Sequence, residues 1–160
     1  MCETEMAKAS ATYGVPLGIL YSVGLTETGQ RGWLDPFAMN IDGRAVRSAS
    51  LPEALARFEN AVAHGAKLID IGCMQIDQRW HGQDFRSVEE MFDVRRNVAY
   101  AARFLRGLRL SEGSWTMAVA RYNAGPDRPQ AQRAYVCSVI RSMVQSGAGG
   151  WTPQARAFCA

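Results

Sequence analysis

The sequence predicts an α+β fold that is predominantly α-helical, with a small β-hairpin inserted between helices. Amphipathic segments with capping residues recur along most of the chain, and one strong turn signal, Asp42-Gly43, separates two short apolar segments. The chain has 160 residues, of which 48% are hydrophobic and 21% are charged, as is usual for a globular protein. We therefore expect a single domain over residues 1–160, in which residues 146–160 form a C-terminal tail.

Two helices come first. One is expected over Glu3–Tyr13, with Gly14 as its stop. Pro16 suits the first turn of a second helix, which we expect from about Leu17 to Thr26. The apolar stripe of the second helix comprises Leu17, Leu20, Tyr21 and Gly24, and its next position is Glu27 or Thr28.

The predicted hairpin joins residues 37–41 to residues 44–46 through the Asp42-Gly43 turn. A second β-branched segment, "KLIDIGCMQI", occurs later in the chain, where Gly72 interrupts it. We expect this segment to form a strand or an extended loop.

Polar capping residues mark the starts of the remaining helices. The predicted helix N-caps are Ser50 with Glu53, Asp93, and Ser114, and a second capping box, Ser87 with Glu90, is expected to start a short turn. Asp93 opens the longest predicted helix, and the segment "NAGP" ends the helix that follows Ser114. A last helix is expected over residues 129–145, before the glycine-rich start of the tail.

The composition argues against several classes of function. The net charge of +3 is small and scattered, so we expect no nucleic-acid partner. Because no apolar run approaches the ~20 residues that a membrane span requires, we expect no such span. Residues 1–15 lack the basic start and apolar core of a signal peptide, so the signal of an exported protein would be absent from this chain.

Four cysteines, Cys2, Cys73, Cys137 and Cys159, show no metal-ligand spacing, so we expect no metal site. Their even number is compatible with two disulfides or with four free thiols. We predict at least one disulfide, which ties Cys159 or Cys2 to the core. The sequence does not select one of the three possible pairings.

Glu27 is a carboxylate at the end of an otherwise apolar helix. It is either a solvated residue on a frayed helix end or an acid whose burial serves a purpose. Burial and the negative end of the helix would both raise its pKa, and Gly29 would let a ligand approach the backbone closely. An acid that keeps its proton near neutral pH can protonate a poor leaving group such as a glycosidic oxygen.

Three further segments, in order, carry a resemblance to a known family. "GLTETGQ", "IGCMQID" and "ARYNAGP" resemble the catalytic-helix end, the G-L-M-Q-I segment and the A-Y-N-A-G segment of soluble lytic transglycosylases, the bacterial relatives of goose-type lysozyme. The helix "DVRRNVAYAARFLRGL" is similar to the family's D-P-x-x-N-I-x-x-G-A-x-Y-L helix. The resemblance covers about Ala7 to Tyr135.

The segments "PFAMNIDG" and "DIGCMQID…WH" most resemble the small branch of this family that accompanies secretion systems and flagella. The resemblance implies a lysozyme-like fold, a periplasmic location, peptidoglycan glycan strands as substrate and no cofactor. It also implies the chemistry. Glu27 protonates the glycosidic oxygen between N-acetylmuramic acid and N-acetylglucosamine, and then takes a proton from the 6-hydroxyl of the muramic acid, which closes onto C1 as a 1,6-anhydro end.

Most glycosidases instead use two carboxylates. Asp42 and Asp70 are the nearby candidates, but the first belongs to the hairpin turn and the second is more simply a loop or cap residue. A tethered 6-hydroxyl removes the need for a second carboxylate. A hydrolytic muramidase and a non-catalytic peptidoglycan-binding protein remain the alternatives.

The resemblance assigns roles to five further residues. Tyr122 orients the glutamate and stabilises charge, although the alternative is a core tyrosine. Gln75 hydrogen-bonds to sugar or backbone, and Met74 offers an apolar wall, unless it is simply a core residue. Asn123 lies on the cleft side or only ends its helix, and Thr28 supplies the hydroxyl that the family often has as serine.

Cys73, which stands where the family usually has leucine or serine, is expected to be a small buried residue or a disulfide partner rather than a nucleophile. His64 and His81 are both expected in surface turns.

Overall fold

The computed structural model describes residues 1–28 and 34–160. The elements in chain order are α1 (Cys2–Tyr13), α2 (Leu17–Thr28), β1 (Met39–Ile41), β2 (Arg44–Val46), α3 (Leu51–Ala63), β3 (Ile69–Ile71), β4 (Ile76–Asp77), α4 (Gln78–His81), a 3-10 turn (Gly82–Asp84), α5 (Val88–Phe92), α6 (Val94–Glu112), α7 (Trp115–Asn123), α8 (Pro129–Gln145) and α9 (Pro153–Cys159). Helices dominate and the strands are short, which confirms the predicted lysozyme-like α+β class. Among the helices in these two ranges, none combines the length and the apolarity that crossing a membrane requires.

The four strands form one antiparallel sheet in the order β2-β1-β3-β4. The predicted hairpin is confirmed, and its turn residues Asp42 and Gly43 have φ angles of 47° and 89°, as the turn signal requires. The second hairpin, β3–β4, is not predicted by the sequence. Its turn holds Gln75 at a φ of 48°, a conformation that residues other than glycine rarely adopt. A glutamine at this position therefore gives no sign of a turn in the sequence.

The helices pack pairwise around the core. Helix α1 packs against α6, α2 packs against α8, and α7 packs against both α6 and α8. Helix α2 continues two residues beyond its predicted end at Thr26, so that Glu27 lies inside its last turn. Its buried stripe begins at Leu20, which is 0% exposed, whereas Leu17 is 45% exposed, contrary to the prediction.

The predicted caps are confirmed by their hydrogen bonds, although the segment after Ser87 is the short helix α5 rather than the predicted turn. Each predicted cap accepts a bond from the backbone N–H three residues ahead, at Ser50, Ser87, Asp93 and Ser114. In the two capping boxes, the Glu53 and Glu90 carboxylates accept a bond from the residue before the serine, at Ala49 and Arg86. Local side chains therefore satisfy free N–H groups at these helix ends.

Two disulfides, Cys2–Cys73 and Cys137–Cys159, confirm the prediction that at least one bond ties a chain end to the core. The first joins the start of α1 to the turn between β3 and β4, and the second joins α8 to α9. The predicted tail is thus partly helical. Over residues 1–28 and 34–160, no cluster of three or more histidine, cysteine, aspartate or glutamate side chains is placed to hold a metal ion.

Candidate active site

Glu27 lies half-buried in the last turn of α2, on the wall of a cavity of about 160 Å³. We call this space the Glu27 cavity. Its lining residues are Glu27, Asp70, Gln75, Ile76, Asp77, His81, Tyr100, Ala101, Phe104, Tyr122 and Asn123. A second cavity, of about 150 Å³, lies between the end of α2 and the β1–β2 hairpin. Glu27 and Gln75 line both cavities and therefore stand at the boundary between them.

Burial is the largest influence on Glu27 and raises its pKa from 4.5 to about 7. Hydrogen bonds from Tyr135 and Asn123 lower the pKa, and the negative charge of Asp70 raises it. The structure contradicts the frayed-end alternative for Glu27, because α2 continues to Thr28 and the side chain is half-buried on the cavity wall. An acid with this pKa is still partly protonated at neutral pH, as general-acid catalysis requires.

Tyr135 on α8 holds the carboxyl group of Glu27. Its hydroxyl donates to Glu27 Oε1 at 2.5 Å, and the tyrosine is only 8% exposed. The resemblance gives this orienting role to Tyr122 and none to Tyr135. A tyrosine on an otherwise apolar stripe is a weak signal of such a contact, because a buried hydroxyl needs a partner.

Tyr122 lines the Glu27 cavity, but its hydroxyl donates to the backbone carbonyl of Met74 at 2.7 Å. The predicted orienting hydrogen bond to the glutamate is therefore made by Tyr135 rather than by Tyr122. Burial first, and then the charge of Glu27, hold the pKa of Tyr122 well above its ordinary value. Tyr122 thus stays neutral beside the acid.

Gln75 is buried, and its amide nitrogen donates to the carbonyls of Ala38 and Gly72, at 3.1 and 3.0 Å. Both hydrogens of that nitrogen are used, so the amide oxygen is the group that can still bind a ligand. The expectation that Met74 forms an apolar wall of the cleft is wrong for its side chain, which is 0% exposed and packs in the core. A methionine in an apolar run is more readily core than ligand wall.

Asn97 on α6 secures the turn that carries Gln75. Its amide nitrogen donates to the carbonyls of Ile71 and Met91, and its amide oxygen accepts from the N–H of Met74, all within 2.8–2.9 Å. Asn97 is 0% exposed, so three hydrogen bonds satisfy a fully buried polar group. The turn is therefore fixed from the side of the core.

The remaining predicted residues lie at the edges of the site. Asn123 ends α7, is exposed, and its amide nitrogen donates to Glu27 Oε1 at 3.5 Å. Thr28 is buried and lines the second cavity, and its hydroxyl donates to the carbonyl of Gly24 in its own helix. Gly29, the predicted point of close ligand approach, lies outside the described residues.

Asp70 on β3 faces the Glu27 cavity, although the sequence favours a loop or cap role for it. Burial first, and then the charge of Asp77 opposite it on β4, raise its pKa from 3.8 to about 6. Asp42, the other candidate, instead accepts bonds from the backbone N–H groups of Lys67 and Leu68. Asp70 is thus a second carboxyl group beside the acid, which the unpredicted β3–β4 hairpin brings there.

His81 is half-buried on the cavity wall, so its predicted place in a surface turn is wrong, whereas His64 is exposed as predicted. The ring of His81 packs edge-on against Tyr100 and Phe104, with ring centres 5.5 and 5.0 Å apart. These residues come from α4 and α6, so their approach depends on tertiary packing.

Comparison with protein families found one matching family model, described as the transglycosylase SLT domain, over residues 6–139. Comparison with curated proteins and with solved structures found no match. Members of the matched family are in general lytic transglycosylases, which act on peptidoglycan. Because the family model spans most of the sequence and includes Glu27, the chain belongs to the transglycosylase SLT domain family.

Proposed function

We propose that this protein is a lytic transglycosylase that cleaves the β-1,4 bond between N-acetylmuramic acid and N-acetylglucosamine without water. The observation that carries the proposal is the Glu27 carboxyl group on the cavity wall, which accepts a hydrogen bond from Tyr135 and whose pKa burial raises to about 7. This group can be protonated when substrate binds and ionised after it has given its proton away, which are the two states that the reaction needs.

Glu27 first donates its proton to the glycosidic oxygen as the bond from that oxygen to C1 breaks. The ionised carboxylate then takes the proton of the 6-hydroxyl, whose oxygen forms the new bond to C1. The proton is returned to Glu27 and no water is consumed. Tyr135 supports this cycle because its hydrogen bond orients the carboxyl group and stabilises its ionised form.

The two cavities support a polymeric substrate. Glu27 and Gln75 line both of them, so a glycan strand that occupies both would cross the acid at an internal bond. Tyr122 and Phe104 give the Glu27 cavity aromatic surface, which suits the apolar faces of sugar rings.

Asp70 favours a second candidate, a hydrolytic muramidase. Inverting glycosidases use a second carboxylate to activate water, and Asp70 lines the same cavity as Glu27. The two candidates differ in their product, because the anhydro end is lighter by one water than the reducing end that hydrolysis leaves.

The test is mass spectrometry of the fragments that the purified protein releases from peptidoglycan. Anhydro ends that disappear with Glu27→Gln support the proposal, whereas reducing ends alone favour the muramidase. Peptidoglycan binding without any product would instead indicate a non-catalytic binding protein. Glu59→Gln, which removes an exposed carboxylate from α3, is the matched control and is expected to keep full activity.

We further infer that the protein acts in the periplasm, where it opens peptidoglycan for an envelope-spanning assembly such as a secretion system or flagellum. The two disulfides support an oxidising compartment. Detection of the protein in the periplasmic fraction, with both disulfides formed, tests the location. Loss of assembly of one such apparatus when Glu27→Gln replaces the native protein tests the cellular role.

A further inference from the structure

His81 belongs to a chain of polar contacts at the wall of the Glu27 cavity. Its Nδ1 lies 2.7 Å from the hydroxyl of Tyr100, and that hydroxyl donates to Asp84 Oδ2, also at 2.7 Å. This series of contacts leads from Asp84, which is exposed at the surface, to the half-buried imidazole ring of His81. None of these three residues has a role in the proton transfers assigned to Glu27.

The contacts fix the direction of the hydrogen bonds. A tyrosine hydroxyl has a single hydrogen, and burial and the bond to Asp84 raise the pKa of Tyr100, so the hydrogen is retained. Because Tyr100 gives this hydrogen to Asp84, its oxygen must accept one from His81 Nδ1. The neutral imidazole therefore carries its proton on Nδ1, and Nε2 is left as a hydrogen-bond acceptor.

The orientation of the ring is set before any ligand arrives. Tyr100 and Phe104 both pack edge-on against it. Helix α4, which carries His81, is capped by Asp77, whose carboxylate accepts from the N–H groups of Arg79 and Trp80. An acceptor held in this way binds a ligand group at a smaller cost in conformational entropy than a freely rotating side chain does.

We propose that His81 is a substrate-positioning residue, whose Nε2 accepts a hydrogen bond from a sugar hydroxyl or acetamido N–H group in the Glu27 cavity. Saccharides present many such donors, and the ring lines the same cavity as the acid. In this arrangement Asp84 and the hydroxyl of Tyr100 act by orienting the ring, because that hydroxyl bonds to both His81 and Asp84. The inference rests on the proposed function, since it assigns the cavity to the glycan.

Two substitutions distinguish the role of Nδ1 from the role of Nε2 in His81. In His81→Asn the amide group takes the place of Nδ1 and can still bond to Tyr100, but nothing replaces Nε2. In His81→Gln the longer side chain brings its amide group to the place of Nε2. A residue that serves only to hold Tyr100 would tolerate asparagine better, whereas a residue that binds sugar would tolerate glutamine better.

The experiment measures KM and kcat on a soluble peptidoglycan glycan, and the affinity for the same uncleaved glycan in a Glu27→Gln background. We expect His81→Asn to raise KM and to weaken binding by about three- to tenfold, the effect of one lost hydrogen bond. Its kcat should change less, because a contact made equally in the ground and transition states affects KM. His81→Gln should recover most of the affinity.

Equal affinities for the two variants, or weaker binding by the glutamine variant, would overturn the role of Nε2. Circular dichroism and thermal unfolding of both variants show whether the fold is retained. These results can be told apart from a failure of the proposed function, because in that case the wild-type protein would release no anhydro product. An active wild-type enzyme whose binding does not respond to His81→Asn refutes only the inference.

Discussion

Replacing Glu27 by glutamine should stabilise the fold above neutral pH, although it abolishes the proposed activity. The folded protein raises the pKa of this carboxyl group from 4.5 to about 7, chiefly by burial. Between these values the folded state keeps the proton and the unfolded state loses it, so the free energy of unfolding falls as pH rises through this window. Below pH 4.5 both states are protonated and the loss disappears.

The expected magnitude follows from the same two values. They differ by about 2.5 pKa units, and one unit corresponds to about 1.36 kcal/mol, which gives about 3 kcal/mol as the full cost of ionised Glu27. Glutamine has the same shape and no charge, so it avoids this cost. For a chain of this length, about 2–4 °C per kcal/mol predicts a gain in Tm of about 6–12 °C at pH 8.

Thermal unfolding followed by circular dichroism measures the difference in Tm between Glu27→Gln and wild type at pH 4, 6 and 8. We expect this difference to grow from near zero to its full value. Asp70 also ionises in this range, but it is present in both proteins and largely cancels. Glu59→Gln on the exposed face of α3 controls for the change in net charge. A difference in Tm that is the same at all three pH values would refute the burial of an ionisable Glu27.

Further predictions concern the pH dependence of kcat/KM and the β3–β4 turn. Tyr135→Phe removes a hydrogen bond that lowers the pKa of Glu27, the proposed acid, so the alkaline limb of the profile should move to higher pH by about one unit. Asp70→Asn removes a charge that raises this pKa, so the alkaline limb should move to lower pH by a smaller amount. If both variants shifted the limb in the same direction, the effects assigned to Tyr135 and Asp70 would be contradicted. Gly72→Ala should lower the free energy of unfolding in urea by about 1–3 kcal/mol, because Gly72 has a φ of 80° and a Cβ there would lie 2.5 Å from Asn97 Nδ2. Gly107→Ala, in open space on α6, is the control and should not destabilise the protein.

The elements that local chemistry determines could be predicted from the sequence. Ser50, Ser87, Asp93 and Ser114 start helices because each side chain satisfies N–H groups within its own turn. The Asp42-Gly43 turn is equally local. The β3–β4 hairpin could not be predicted, because its strands are short and its turn depends on bonds to Asn97, which lies in another element.

In the candidate site, too, features that depend on local sequence could be predicted, whereas contacts between distant elements could not. The helix pattern drew attention to Glu27, and the resemblance of the segment around it supplied the predicted role. Its partner Tyr135 lies 108 residues away, so their hydrogen bond follows from the packing of α2 against α8 rather than from either local pattern. Asp70 and His81 reach the cavity through the second hairpin and through the approach of α4 to α6, which the sequence did not disclose.

Both disulfides lie close to residues that shape the site. Cys73 precedes Met74, whose carbonyl anchors Tyr122 and whose N–H is held by Asn97. Cys137 lies two residues beyond Tyr135 on α8. An attack by a hydroxyl of the substrate itself depends on holding the reacting atoms in a near-attack geometry, and a displacement of about 1 Å can cost about a hundredfold in rate. The cross-links therefore brace the two segments that hold the groups around Glu27 in place.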